Sequence, residues 1–420
     1  MDRKIAPTLL PATCIFLSFN TFAAGFQVNE HSASGLGRAF SGEAAIADNA
    51  ASLAHNPASM TRFDRMQIAG ALTLLNPEVD IETLNTEPPQ RYNDIAPFAA
   101  IPASYFIQPV NDQWAWGLAL FSSYGVATEY PTEAHFGSLA GKTDLLTINI
   151  NPNLAWRINE HLSVGAGVSL VYADAELKRH FGGLSTAYGI SPSQDLVKMT
   201  GDTWEWGWNA GILWELNANH RFGLNYRSQV DLDFSGEFVD SQGASIPGAS
   251  SDTPQKTTSD LTVVLPAIAE FSGYHQFTSQ WALHYSIQWS QWSEFKELRA
   301  TSKECRNSLC LLKEEDFDDS FRYSIGATYF LSPQWTLRAG YSYDEQAGAA
   351  TLSIPDASRY WYATGATYRY TSQWSFDVGI MYIRGKRDTF TETYVDGQEY
   401  QFRSAKSDAW AGSAQVNYTF

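Results

Sequence analysis

Cysteine is almost missing from this chain of 420 residues: only Cys14, Cys305 and Cys310 occur. That number rules out a disulfide scaffold, and two distant-from-histidine cysteines supply at most half of a zinc site. Positive charge is also short. Lys and Arg total 28 against 45 Asp and Glu, a net charge of −17, which excludes nucleic acid as a partner because phosphate neutralisation needs clustered cations. Past the N-terminus no run reaches the ~18 apolar residues of a spanning helix. The longest candidate, Leu261 to Phe271, is short and contains Pro266. Catalytic signatures are lacking too. The eight histidines are scattered (31, 55, 135, 161, 180, 220, 275 and 284), and neither H-E-x-x-H nor G-x-S-x-G occurs. The glycines of "GLGRAFSG" near Gly35 follow no strand, so they read as turn residues and not as a phosphate cradle. No enzyme, cofactor or metal site is expected, although a protease or phospholipase could assemble His with Ser or Asp on neighbouring strands.

The first 23 residues have the layout of a secretory signal peptide. Arg3 and Lys4 precede an apolar stretch from Ile5 to Phe22, and Ala23 and Ala24 offer a cleavage site after Ala23. Pro7 and Pro11 interrupt the stretch and argue against a permanent anchor. Cleavage takes Cys14 away. In an exported protein the remaining pair, Cys305 and Cys310, is expected to form one small-loop disulfide, with free thiols or a metal as alternatives.

What the chain has in abundance is aromatic residues, 14% of the total with 14 Trp and 21 Tyr, set in strict alternation. A polar turn followed by alternation recurs at "NDQWAWGLAL", "NEHLSVGAGV", "NANHRFGLNY", "TSQWALHYSI", "SPQWTLRAGY" and "TSQWSFDVGI". After Thr278, Trp281, Leu283, Tyr285, Ile287 and Trp289 share one face, and Ala282, His284, Ser286, Gln288 and Ser290 share the other. Period two means strand. Strands of ten to twenty residues exceed the usual five or six, and Trp114, Trp281, Trp335 and Trp374 each follow a short turn, as in an interfacial girdle. Short turns on one side and long polar loops on the other predict an all-β transmembrane antiparallel barrel over residues 66–420. Fourteen strands are expected near 66–82, 97–109, 113–130, 143–158, 161–180, 203–217, 220–238, 258–277, 280–300, 320–332, 334–346, 357–371, 374–394 and 400–420. The last strand, "WAGSAQVNYTF", ends on Phe420 and resembles the signal read by the barrel-assembly machinery. With the signal peptide this places the chain in the outer membrane of a Gram-negative bacterium, against phospholipid and lipopolysaccharide.

Residues 24–65 do not alternate. Within them "SLAHNPASMTRFD" carries Asn56, Pro57 and Ala58. Asp48 is positioned to cap a short helix, and Pro57 turns the chain at Asn56. Two cations stand where strands meet the long loops: Arg179 and Lys313. They read as rim charge or as a pair for an anionic head group. The run "KEEDFDD" from Lys313 to Asp319 reads as a solvated loop, with divalent-cation binding as the alternative.

The stretch "AGFQVNEHSASGLGRAFSGEAAIADNAASLAHNPASMTRFDR" resembles the N-terminal hatch of the FadL-type long-chain fatty-acid outer-membrane transporters. The likeness continues through "SSYGVATEY", "GDTWEWGWNAGILWELN", "YRSQVDLDFSGEF", "SIPDASRYW" and the C-terminal strand. It implies a fourteen-stranded barrel with a luminal hatch over 24–65, gated around Asn56, Pro57 and Ala58. It also implies a lateral opening at a kink in the third strand, which falls on Ser123, Tyr124 and Gly125. Arg179 and Lys313 become the ligand-binding residues for the carboxylate. The implied function is monomeric, passive uptake of long-chain fatty acids, with aromatic or alkane hydrocarbons, a general diffusion porin or a surface receptor as alternatives. Two departures stand out: a short loop near 180–203, and acidic residues after Lys313 that compete for its charge.

Overall fold

Alternation sorts side chains onto two faces, and in the computed structural model, which describes residues 25–394 and 397–420, the two faces become the outside and inside of a closed barrel. The signal segment and Cys14 lie outside the described residues. Fourteen antiparallel strands form the wall. The first is Gln67–Thr83, the second Ala99–Pro109, and the third comes in two pieces, Trp114–Phe121 and Gly125–Glu129. The fourth, fifth and sixth are Lys142–Arg157, Leu162–His180 and Asp195–Asn217. The seventh (His220–Arg227, Val230–Asp240), eighth (Gln255–Leu265, Ile268–Gln276) and ninth (Trp281–Ser290, Glu297–Thr301) are also divided. The tenth to fourteenth are Ser320–Phe330, Trp335–Asp344, Arg359–Arg369, Trp374–Gly385 and Glu399–Thr419. The first and last strands pair from Gln67↔Thr419 to Thr83↔Phe402 and close the ring.

The strand number agrees with the alternation, but several boundaries differ. The sixth strand starts at Asp195 instead of 203, so its upper third rises into the loop region. The eighth is interrupted because Pro266 has no N–H for the ladder. The ninth is interrupted by a turn at Trp292–Glu294.

Outward residues are those the pattern assigns to lipid. Trp281, Leu283 and Ile287 are exposed, while Ala282, His284, Ser286 and Gln288 between them are buried. The girdle forms at the tight turns. Asn111 accepts from the backbone of Gln113 and Trp114 at 2.9 Å, which fixes the turn and sets Trp114 beside Trp156 with ring centroids 5.7 Å apart.

Residues 25–65 fill the lumen. Their short elements are Ala33–Leu36, Glu43–Ile46, Ala50–Ala54 and Pro57–Arg62. No element is long enough to satisfy its own backbone, so the wall supplies partners. Arg221 Nε donates to Ala45 O at 2.6 Å and Arg227 Nη2 to Ala54 O at 2.9 Å. Ser286 Oγ accepts from Gly42 N at 2.8 Å, and Gln415 Oε1 from Ala33 N at 3.0 Å. The cap expected of Asp48 belongs to Asn49, whose Oδ1 accepts from Ala51 N at 2.9 Å. Asp48 instead pairs with Arg38 (3.0 Å) and with Arg338 of the wall (3.2 Å). A charged partner inside a crowded lumen outcompetes a local backbone bond.

Wall glycines allow this approach. A Cβ at Gly223 would collide with Ala44 O, and one at Gly340 with Arg38 O. Gly223→Val is expected to destabilise the hatch seat by about 1–3 kcal/mol through overpacking while the barrel still assembles. The check is added protease in detergent: the variant should be cut within residues 25–65 under conditions the parent resists. Equal resistance would show that the wall has room to spare.

Candidate functional site

The third strand breaks between Phe121 and Gly125, which leaves backbone groups at membrane depth without a ladder. The hatch answers this. Val28 N donates to Ser123 O at 2.9 Å, Gly125 N donates to Phe26 O at 3.0 Å, and Gln27 bridges to Tyr124. Ser123 and Tyr124 therefore lie in the break, and Gly125 opens the second piece. On the other side, the second strand pairs with the third only over Ser104–Pro109. Residues 99–103 pair with the first strand alone, so one side of that strand is open.

Two cavities flank Phe26. The larger, about 760 Å³, runs from Phe26, Val28 and Glu30 inside to Leu120, Leu146 and Ile148 on the lipid-facing surface, along the unpaired edge at Ala99–Ala103. The smaller, about 70 Å³, is walled by Val126, Leu145, Phe234, Phe295, Leu298 and Ile354. Phe26 is buried and lines both. It is held edge-on by Trp292 (4.8 Å between centroids), Phe295 (5.3 Å) and Tyr124 (6.1 Å). Tyr124 Oη donates to Pro266 O at 2.7 Å, so the breaks in the third and eighth strands meet at this aromatic group.

Arg179 and Lys313 line neither cavity. Both reach the loop between the eleventh and twelfth strands. Arg179 Nη2 donates to Ser353 Oγ at 2.8 Å and Nη1 to the carbonyls of Lys178 (2.7 Å) and Lys142 (3.1 Å). Lys313 Nζ donates to Thr351 Oγ1 at 3.0 Å and pairs with Glu315 at 2.9 Å. Glu315 is the competing carboxylate anticipated from the acidic run, and burial pushes its carboxyl up. Among the described residues no group of three or more His, Cys, Asp or Glu side chains is arranged to hold a metal ion. Cys305 and Cys310 are disulfide-bonded and pack with Met199, Phe238 and Ile246 in the extracellular crown.

Asn56 is the N-cap of Pro57–Arg62 and a tie between segments. Its Oδ1 accepts from Ala58 N at 2.9 Å, and Nδ2 donates to Ala44 O (2.7 Å) and to Ile212 O of the sixth strand (2.9 Å). Pro57 and Asn56 pack so closely on the wall that Gly165 and Gly211 are required opposite them.

Sequence reasoning assigned no role to Phe26, Asp356 or Arg359. Asp356 Oδ2 accepts from Gly25 N (3.1 Å) and Ala347 N (3.0 Å), and Arg359 Nη2 stands 3.3 Å from Asp356 Oδ1. All three residues line the larger cavity. The only available signal was membership in the quoted stretches "AGFQV" and "SIPDASRYW". Burial pushes the Asp356 carboxyl from 3.8 up to about 8.

Comparisons with known proteins agree with this geometry. The family described as outer membrane protein transport protein (OMPP1/FadL/TodX) matches residues 14–420. The long-chain fatty acid transport protein of Escherichia coli K12 is 37% identical over 447 residues, covering 98% of each chain. The 47 kDa outer membrane protein of Pasteurella multocida is 38% identical over 438 residues, covering 99% of each. A crystal structure of a Pseudomonas aeruginosa FadL homologue superposes with a TM-score of 0.81 at 21% identity, covering 94% of this chain and all of that one. The toluene transporter TodX of Pseudomonas putida gives 0.71 at 18%, covering 93% and 98%.

Asp356 carries a pH expectation. Between about pH 4 and 8 the folded protein holds a proton there that the unfolded chain releases, so its contribution falls as pH rises and is gone above 8. Stability of the folded chain should therefore fall from pH 6 to pH 9, read as a lower unfolding temperature in detergent. In Asp356→Asn that fall should shrink; matching profiles in parent and variant would remove Asp356 as its source.

Proposed function

The chain belongs to the OMPP1/FadL/TodX family of outer-membrane transport proteins, and on that premise we propose that it takes up long-chain fatty acids by passive diffusion through a lateral route. The supporting observation is that Phe26 separates an inner apolar pocket from a cavity that reaches the lipid-facing surface. A lipid captured by the outer loops enters the inner pocket. Withdrawal of Phe26–Val28 joins the pocket to the larger cavity, and the lipid leaves beside the third strand. Asn56–Ala58 gate the route by holding the hatch to the sixth strand while its N-terminal end moves.

The energetics favour a dry path. Burying a tail of ~16–18 carbons at roughly 0.8 kcal/mol per methylene gains on the order of 10 kcal/mol. A single charge-assisted contact to the carboxylate adds about 1.5–3 kcal/mol. The tail supplies affinity and the head group supplies orientation. Arg179 and Lys313 serve that second role: an incoming carboxylate replaces Glu315 at Lys313 and takes over bonds that now hold Thr351 and Ser353. Ile354, next along this loop, lines both cavities, which links the head group to the route.

Converting both Arg179 and Lys313 to Ala should weaken oleate binding on the order of ten- to hundredfold, with oleyl alcohol changed less than about twofold. Equal losses for acid and alcohol would deny the pair a role in reading the carboxylate. For the route, the parent gene should restore growth on oleate to a transporter-deficient strain. Ala127→Trp, which fills the larger cavity, should not do so at equal surface level. Toluene uptake without growth on oleate would instead place hydrocarbons first.

A further inference from the structure

The histidines are scattered in the sequence, but the fold brings two of them together in the hatch. His31 and His55 are both buried, with His31 Nδ1 3.3 Å from His55 Nε2. The pair bridges two parts of the wall. On one side His31 Nε2 stands 2.9 Å from Ser122 O, in the break of the third strand. On the other His55 Nδ1 stands 3.3 Å from Glu270 Oε2 of the eighth strand. Val28 N already donates to Ser123 O, so His31 reaches the carbonyl next to it and extends the same seam. Tyr105 Oη of the second strand donates to His31 O at 2.9 Å and fixes the backbone behind the ring.

The partners set the number of protons. A backbone carbonyl and an ionised carboxylate can only accept. Glu270 Oε1 accepts from Ser272 Oγ (2.8 Å) and Ser286 Oγ (2.7 Å), as an ionised carboxylate does. His31 Nε2 and His55 Nδ1 must therefore both carry hydrogen. A third hydrogen is needed between the rings, because two bare nitrogens at 3.3 Å repel. The four ring nitrogens then hold one proton more than two neutral imidazoles have, and the pair carries a positive charge. Its surroundings locate that charge on His55. Glu43 Oε2 stands 3.7 Å from His55 Nε2, while Glu43 Oε1 meets Arg38 at 2.9 Å. Burial first, and the charge on His55 second, hold the His31 imidazole well below its ordinary value, and Arg227 of the seventh strand and Arg322 of the tenth add to this. Glu30, adjacent in the hatch, accepts from Asn29 N at 2.9 Å.

We propose that His31 and His55 form a proton-operated latch, which ties the hatch to the break in the third strand while the pair holds three protons and loosens when the third is lost. Two neutral rings have two hydrogens for three contacts. One contact is then lost: at Ser122 O, at Glu270, or between the rings. Each loss opens the same chain between the break and the eighth strand, and loss at Ser122 leaves a carbonyl at membrane depth without its donor. Imidazole is the side chain that changes charge between about pH 5 and 8, so the latch closes toward the acid side and opens toward the alkaline side. A cavity of about 20 Å³ beside both rings, walled in part by Asn29, Asn225 and Gln288, has room for one water and gives the proton a path. The effect on uptake rests on the lateral route proposed above; the latch itself does not.

The test uses the full chain in detergent. Magnetic resonance of isotope-labelled histidine should find three of the four ring nitrogens of His31 and His55 protonated at about pH 6, with His31 Nδ1 the bare one. Two protonated nitrogens at that pH would overturn the proposal, and this measurement needs no substitution. Hydrogen exchange then reads the tie. In D356N, which removes the other pH-linked anchor of the hatch, protection of the Val28 amide, corrected for the intrinsic exchange rate, should fall on the order of tenfold from about pH 6 to about pH 8.5. The fall should persist in D356N/H275Q, whose second change lies at the His220 contact near the tight turns, and should be absent in D356N/H55Q. An equal fall in D356N/H55Q would overturn the latch. Uptake of oleyl alcohol, whose head group does not titrate, should rise over the same range in vesicles bearing the D356N protein. Loss of protection without that rise would keep the latch and reject the lateral route as what it controls.

Discussion

A wall standing in hydrocarbon must pair every backbone N–H and C=O within the protein, and the third strand fails to do so by itself. The hatch completes it with the bonds from Val28 N to Ser123 O and from Gly125 N to Phe26 O. The plug is thus part of the wall at that point. Two consequences follow from one pairing. Phe26 is placed between the inner pocket and the cavity that reaches lipid, and its withdrawal also frees the polar groups of the break. Opening therefore requires something to take over those groups, which couples the movement to an arriving ligand or to water.

The hatch is held unevenly. Its lower part is fixed by charged wall residues: Arg221 and Arg227 on backbone carbonyls, Arg338 on Asp48, and Glu270, 3.3 Å from His55. Charge-assisted bonds of this kind are worth about 1.5–3 kcal/mol each. The N-terminal stretch relies on aromatic edges worth about 0.5–1.5 kcal/mol each, on neutral backbone bonds of similar size, and on the single side-chain anchor of Gly25 N to Asp356 at 3.1 Å. A disturbance that reaches both ends releases Gly25–Val28 first. Asn56, with bonds to Ala44, Ala58 and Ile212, ties this lower part to the sixth strand, and in the proposed route it is the fixed end.

Alternation made the barrel legible because each outward residue had to be apolar and each turn needed its own chemistry. Asn111 before Trp114 and Thr278 before Trp281 announced strand starts to within a residue. The breaks were less legible. The expected strand 258–277 ran straight through the break at Pro266, and at the division near Trp292 the ring packs on Phe26, far away in sequence. The hatch lacked any period because its backbone is satisfied by the wall, and no local pattern encodes a partner more than a hundred residues distant. Asp48 shows the same limit. Locally it is a helix cap, and only the folded lumen brings Arg338 within 3.2 Å. Arg179 stands at the end of the fifth strand, but Lys313 lies in a short strand, Leu309–Glu314, paired above the ninth, and their present partners, Ser353 and Thr351, come from a loop whose position the pattern does not set.

Glu315 gives those cations a further meaning. A transporter that moves ligand down a gradient must also release it, and a tail worth on the order of 10 kcal/mol already binds tightly. An unopposed pair of cations, Arg179 buried and Lys313 partly so, would add several kcal/mol at the head group and slow departure. With Glu315 at 2.9 Å from Lys313, a carboxylate gains only the difference between two similar ion pairs. Burial raises the proton affinity of Glu315, so it yields its place to an incoming carboxylate at a lower electrostatic cost than a solvated acid would. On the proposed role, the cation site orients the head group without anchoring it, and the apolar walls decide how long the ligand stays.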